Sequence, residues 1–154
     1  MLWNKILLVY DGSENSLRAT EFVAKMFGKT EGVKVTIFGV HDRIPKHDFK
    51  DTSQVVDKLQ AQITAMELEK ERGQVRIEES KQLLARAGMD ESAITVKYVE
   101  RKQSPAKDIV EEAEKGQFGT IVLGQGESRG LFLSGGNVAK DLMSRSKGRA
   151  ICVV

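Results

Sequence analysis

Cysteine is almost absent from this sequence, Cys152 being the only one. A single thiol cannot close an intramolecular disulfide, which excludes a disulfide-stapled secreted scaffold; its place in the terminal apolar run ICVV reads as a buried, inert side chain. Proline is nearly as scarce, with Pro45 and Pro105 alone, and no linker, repeat or low-complexity tract interrupts the chain. Long apolar runs are missing too. The stretch from Ile6 to Val9 is far too short for a signal peptide or a membrane span and flows straight into Asp11 and Gly12, so the expectation is a cytoplasmic protein with no membrane role. Charge of one sign is also lacking, since 24 basic and 22 acidic residues leave a net charge of +2. Without a basic stripe or an acidic tail, nothing points to nucleic acid.

Catalytic and metal-binding patterns are absent as well. Of the histidines, His41 and His47 fall in a polar stretch with no accompanying Cys or His cluster, and both read as solvated loop residues with no metal bound. No Ser-His-Asp set or pair of carboxylates stands out. With no general base evident the chain is not expected to be an enzyme, and any hydrolysis would be slow.

What is present is a regular alternation. At 154 residues and 40% hydrophobic, residues 1–154 make one domain able to bury roughly two-thirds of its unfolded surface. Lys5 to Tyr10 is a continuous apolar run, the signature of a strand buried on both faces. Ser13 caps a helix whose apolar face is Ala19, Phe22, Val23, Met26 and Phe27, stopped at Gly28. Val33 to Val40 is a second strand, and the resulting βαβ unit implies parallel pairing with a right-handed crossover. His41 to Thr52 reads as a surface loop, and Trp3 as a packing residue at the domain edge.

From Ser53 to Ala87 the sequence is helix-forming, with Val56, Leu59, Ile63 and Met66 on one stripe and Ile77 and Leu84 continuing it after a gap. Such a helix would run roughly 50 Å, longer than a small domain is wide. Gly73 is therefore expected to mark a bend, a fray, or the point where the helix leaves the body. Its evenly mixed charges read as a solvated face, a partner-binding coiled coil being the alternative. Ala93 to Val99 is a third strand, and Ser104-Pro105 opens a helix with Ala106, Ile109, Val110 and Ala113 on its buried face and Gly116 at its end. Thr120 to Leu123 is a fourth strand, followed by a glycine-rich loop, a helix from about Asn137 to Ser146, and a last strand from Ala150 to Val154. The order βαβαβαβαβ predicts a Rossmann-like three-layer α/β/α domain with a parallel five-stranded sheet.

In such a sheet ligands bind beyond the strand carboxyl ends, where strand order reverses. If the order is 3-2-1-4-5, two loops converge there, Asp11-Gly12-Ser13 and Gly124 to Gly136. A carboxylate can accept a ribose or base donor, glycine backbone can approach phosphates closely, and the end of the second strand around Val40 could pack an adenine. Arg129 and Ser128 could reach phosphates from the loop. The plain alternative is that Asp and Gly are ordinary turn residues and that five glycines in thirteen positions form only a surface loop. Neither a Walker loop nor a dinucleotide fingerprint is present.

Two segments, ILLVYDGSENS and SPAKDIVEEAEKGQFGTIVLG, together with the glycine loop and the short final strand, resemble the universal stress protein family across nearly the whole chain. The resemblance implies an adenine-nucleotide-α-hydrolase-like fold and a regulatory role in the stress response. ATP-binding members carry Gly, two residues, Gly, nine residues, Gly, then Ser or Thr. Here Gly126, Gly136 and Asn137 keep the second half of that spacing, Gly124 stands one position too close, and Asn137 replaces the hydroxyl residue. By matching positions, Asp11 with Gly12 and Ser13 would hold the ribose or adenine, Val40 would neighbour the adenine, and Gly126, Gly136 and Asn137 would cradle the phosphates of ATP or another adenine nucleotide, with Mg2+ accompanying it. The alternative is a dimeric interaction module that binds no nucleotide. The family also uses its final strand to form dimers, so a homodimer through Ala150 to Val154 is expected at that uncovered sheet edge.

Overall fold

The computed structural model describes residues 1–46, 54–125 and 138–154. Along the chain come β1 (Leu2–Tyr10), α1 (Glu14–Phe27), β2 (Lys34–His41), α2 (Gln54–Arg86), a short 3-10 turn (Glu91–Ala93), β3 (Ile94–Glu100), α3 (Pro105–Lys115), β4 (Phe118–Leu123), α4 (Val138–Arg145) and β5 (Ala150–Val153). The strands form one sheet in the order β3-β2-β1-β4-β5, and every neighbouring pair is parallel. The fold is therefore the three-layer α/β/α, Rossmann-like arrangement that the alternation of elements implies.

Strand pleating divides the core in two. Ile6, Leu8 and Tyr10 point to one face and pack with Ala19 and Val23 of α1 and Ile77 and Leu84 of α2. Leu7 and Val9 point to the other and pack with Ala106 and Ile109 of α3 and Leu142 of α4. Successive residues of β1 thus feed opposite layers, which is why its second half is apolar without alternation. Each fully buried Leu or Ile is worth roughly 1.5–3 kcal/mol, and Leu7, Leu8, Ile37, Ile77, Leu84, Ile109 and Ile121 are all in that state.

Caps fix the helix entries. Ser13 is extended and its side chain accepts the Ser16 N–H at 3.2 Å. Ser104 does the same for Lys107, with Pro105 in the first turn. Beside it the buried Asp108 carboxylate accepts the N–H groups of Lys102 and Gln103, each at 3.1 Å, and so ties down the turn from β3 into α3.

Several expectations are corrected, and one is narrowed. β1 begins at Leu2, because Leu2 pairs with Phe118 across an irregularity before Ile6; Trp3 consequently lies beyond the covered part of the strand and is 63% exposed, not packed. On α1, Ala19 and Val23 are buried and Phe22 and Phe27 pack against the core as the periodicity implies, but Met26 is exposed, and Ser16, Thr20 and Ala24 complete the buried face. The two hydroxyls are tolerated there because each donates to a backbone carbonyl one turn back, Ser16 to Ser13 and Thr20 to Ser16. His41 is the last residue of β2 and is buried, held by packing against Tyr98. Cys152 is only half-buried, because β5 is an edge strand. α2 runs unbroken through Gly73; of the three alternatives for that glycine, the departure from the body is what its burial pattern shows.

Candidate functional site

At the carboxyl end of β1 the chain must turn sharply into α1. Gly12 takes φ +81° there, a conformation that strains any L side chain. The turn is locked from inside: Oδ1 of Asp11 accepts the Ser13 N–H at 2.9 Å and the Ser13 hydroxyl at 2.5 Å. Asp11 is only half-buried, so its carboxylate holds the loop while still facing the solvent side of the strand ends.

β4, the neighbour of β1 on the side where strand order reverses, delivers Gly124 to the same place. A Cβ on Gly124 would overlap the backbone of Asn15 in the first turn of α1. Only glycine permits this approach, so the start of the glycine-rich loop is pressed directly against the α1 N-terminus. The end of β5 reinforces the junction, Gln125 N–H donating to the Val154 carbonyl at 2.7 Å and Val154 N–H to the Leu123 carbonyl at 2.9 Å.

β2 supplies the third side. Val40 is 2% exposed and its side chain belongs to the α3 layer. The His41 ring lies 5.2 Å from that of Tyr98, centroid to centroid, and its Nδ1–H donates to the Asp42 carbonyl at 3.0 Å. Beyond it, Arg101 pairs with Asp42 at 3.1 Å and Arg43 with Glu100 at 3.0 Å, joining the ends of β2 and β3.

A fourth contribution comes from α2 and has no counterpart in the local sequence signals. Arg76 brings its Nη1 to 3.6 Å from where a Cβ on Gly12 would stand. Among the described residues it pairs with Glu69 at 3.9 Å, and both side chains are about half exposed, so the pair is weak and the cation stays open to solvent or a ligand. Burial pushes the Tyr10 phenol pKa up, against the opposing pull of the Ser80 hydroxyl and the Arg76 charge. Asn15 and Arg76 are the two site residues that motif spacing does not find. Asn15 is adjacent to the DGS turn in sequence, but Arg76 reaches it only through packing.

Of the residues singled out in the sequence, Asp11, Gly12, Ser13 and Gly124 converge around the α1 N-terminus, and Val40 lies in the neighbouring core. Gly126, Arg129, Gly136 and Asn137 lie outside the described residues, as do Ser128 and His47. Among the described residues no group of three His, Cys, Asp or Glu side chains could hold a metal ion, and no helix is long and apolar enough to cross a membrane. A shallow recess lined by Ala24, Lys25, Met26, Lys29, Thr30 and Ala87 lies at the other end of α1, away from these loops.

The sequence profile of the universal stress protein family matches residues 3–153. The chain belongs to the universal stress protein family. No curated protein matches it. Among solved structures, a universal stress protein UspA from Lactobacillus plantarum superposes with a TM-score of 0.69 at 15% identity, over 100% of this chain and 99% of that one. A universal stress protein in complex with cAMP gives 0.61 at 20% identity, over 97% and 95%. A universal stress protein from Archaeoglobus fulgidus in complex with dAMP gives 0.56 at 18% identity, over 99% and 98%. At these identities the likeness establishes a shared fold. Within this universal stress protein, the meeting of the Asp11 turn, Gly124 and Arg76 sits where strand order reverses between β1 and β4.

Proposed function

We propose that this protein binds an adenine nucleotide at the β1/β4 switch point and acts as a regulator in the stress response. The observation that carries the reading is the contact of Gly124 with the Asn15 backbone. It sets the entry to the glycine-rich loop beside Asp11 and over a helix N-terminus, a combination of a carboxylate for sugar or base and bare backbone for phosphate. The complexes of relatives with cAMP and dAMP support the ligand class.

Asp11 would accept from ribose hydroxyls or the base, Gly124 and the loop beyond it would approach the phosphates, and Arg76 would add a mobile cation on the α2 side. Mg2+, if it enters with ATP, would be held chiefly through phosphate oxygens and water, since Mg2+ dehydrates reluctantly. The role read here is nucleotide binding and signalling in the cytoplasm. The edge position of β5 supports a homodimer through Ala150 to Val154, because an edge strand offers unpaired backbone groups to a second copy.

Titration calorimetry with ATP, ADP, AMP, cAMP and adenosine tests the reading. Saturable heat with at least one nucleotide is expected. Absence of heat and of any thermal shift at millimolar nucleotide favours the second reading, an interaction module that binds no nucleotide, which the presence of Asn137 in place of a hydroxyl residue supports.

A further inference from the structure

α2 is 33 residues long, yet its buried residues, Gly73, Ile77, Ser80 and Leu84, all belong to its C-terminal half. The stripe they form does not stop there. Val56, Leu59, Ile63, Met66, Lys70, Gly73, Ile77, Ser80 and Leu84 follow one another at alternating spacings of three and four, the a and d positions of a continuous heptad repeat. In the lower half this seam is covered by the sheet, with Gly73 against Tyr98 and Ile77 against Gly39. In the upper half Val56, Leu59, Ile63 and Met66 are only half-buried, and Val55 and Leu68 beside them are 66% and 46% exposed.

We infer that the N-terminal half of α2 is an antiparallel coiled-coil surface whose occupant is the same helix of a second copy of this chain. The side chains fit that partner. Val56 and Ile63 at a, with Leu59 and Met66 at d, make an unbroken apolar seam in which each a side chain faces a d side chain of an antiparallel partner. Aligning Val56 with Met66 of the other helix, and Leu59 with Ile63, sets Gln60 opposite Gln60, Gln62 opposite Gln62 and Val55 opposite Glu69 along the flanks. No like charges meet in this register.

Orientation follows from the lower half. A parallel partner would carry its own Gly73–Leu84 seam and sheet into the space already filled by β2 and β3, whereas an antiparallel partner places its body at the opposite end. The overlap, from Gln54 to Lys70, spans about 25 Å of helix. Two strips of that length supply on the order of 1,000 Å2 of total buried surface, the lower bound for a specific interface. Association through α2 is therefore concentration-dependent and separate from any pairing at β5.

Light scattering of the full chain across a concentration series, beside Ile63→Asp, tests this. The variant is expected to have half the molar mass of the parent at high concentration, with an unchanged melting temperature because Ile63 is outside the core. Equal masses at every concentration, with both chains monomeric or both equally associated, overturn the proposal. Gln62→Cys in a Cys152→Ser background gives an independent readout, since position 62 meets itself across the two-fold axis. An interchain disulfide on mild oxidation is expected, and a folded, uncross-linked variant overturns the antiparallel pairing.

Discussion

The Tyr98 phenol occupies the space that a side chain at position 73 would need: a Cβ on Gly73 would overlap the tyrosine oxygen. This glycine costs about 1 kcal/mol of intrinsic helix stability relative to alanine, and in return α2 settles directly on β3.

Gly73→Ala is therefore expected to destabilise the fold by about 1–3 kcal/mol, despite alanine's better helix propensity. Adding Tyr98→Phe removes the atom that is hit hardest and should recover part of the loss. Urea denaturation of the three variants checks this, and a Gly73→Ala midpoint equal to or above the parent's refutes the steric account.

Asp11→Ala removes the acceptor that holds both the N–H and hydroxyl of Ser13. A loss of about 1–2 kcal/mol in stability is expected, together with weaker nucleotide binding. Asp11→Asn keeps an acceptor for the turn, so it should retain most of the stability while still weakening the ligand. Calorimetry beside thermal unfolding separates the two effects. Equal affinity in all three proteins would remove Asp11 from the site.

Arg76→Gln tests the contribution of α2. Neutralising a half-exposed cation beside Gly12 should weaken AMP or ATP roughly tenfold, about 1.4 kcal/mol, and leave uncharged adenosine within twofold. Raising the salt concentration should shrink the difference between parent and variant. If adenosine and AMP lose affinity equally, Arg76 supports the turn and does not read ligand charge.

The Tyr10 phenol has its pKa raised above 10.0 by burial. The folded state then binds the proton more tightly than the unfolded chain, so this stabilising contribution is complete below about pH 10 and is lost as pH rises through the higher folded value. Stability should fall with alkaline pH more steeply in the parent than in Tyr10→Phe. Parallel pH profiles from chemical denaturation between neutral and strongly alkaline pH would show the buried phenol to be irrelevant.

Much of the fold was legible in the chain because it depends on local chemistry. The run from Ile6 to Tyr10, the caps Ser13 and Ser104, and the stops at Gly28 and Gly116 each act within a few residues, so periodicity and capping locate them. Exposure of Met26 and burial of Ser16 were not legible. Either helix face of α1 could have been apolar enough, and the sheet chose the one whose hydroxyls bond back to their own helix. His41 was misplaced for a similar reason, since a polar residue at a strand end looks like loop until an aromatic neighbour covers it.

The sequence by itself determined the alternation of strands and helices, the parallel sheet that follows from it, and the DGS turn opposite a glycine-rich loop. Tertiary structure alone decided what surrounds that turn. Gly124 reaches Asn15, and Arg76 reaches Gly12, only after the sheet order has placed β4 beside β1 and Tyr98 has received Gly73 of α2. Those contacts join residues distant along the chain, and their geometry is set by close packing, which no local periodicity encodes.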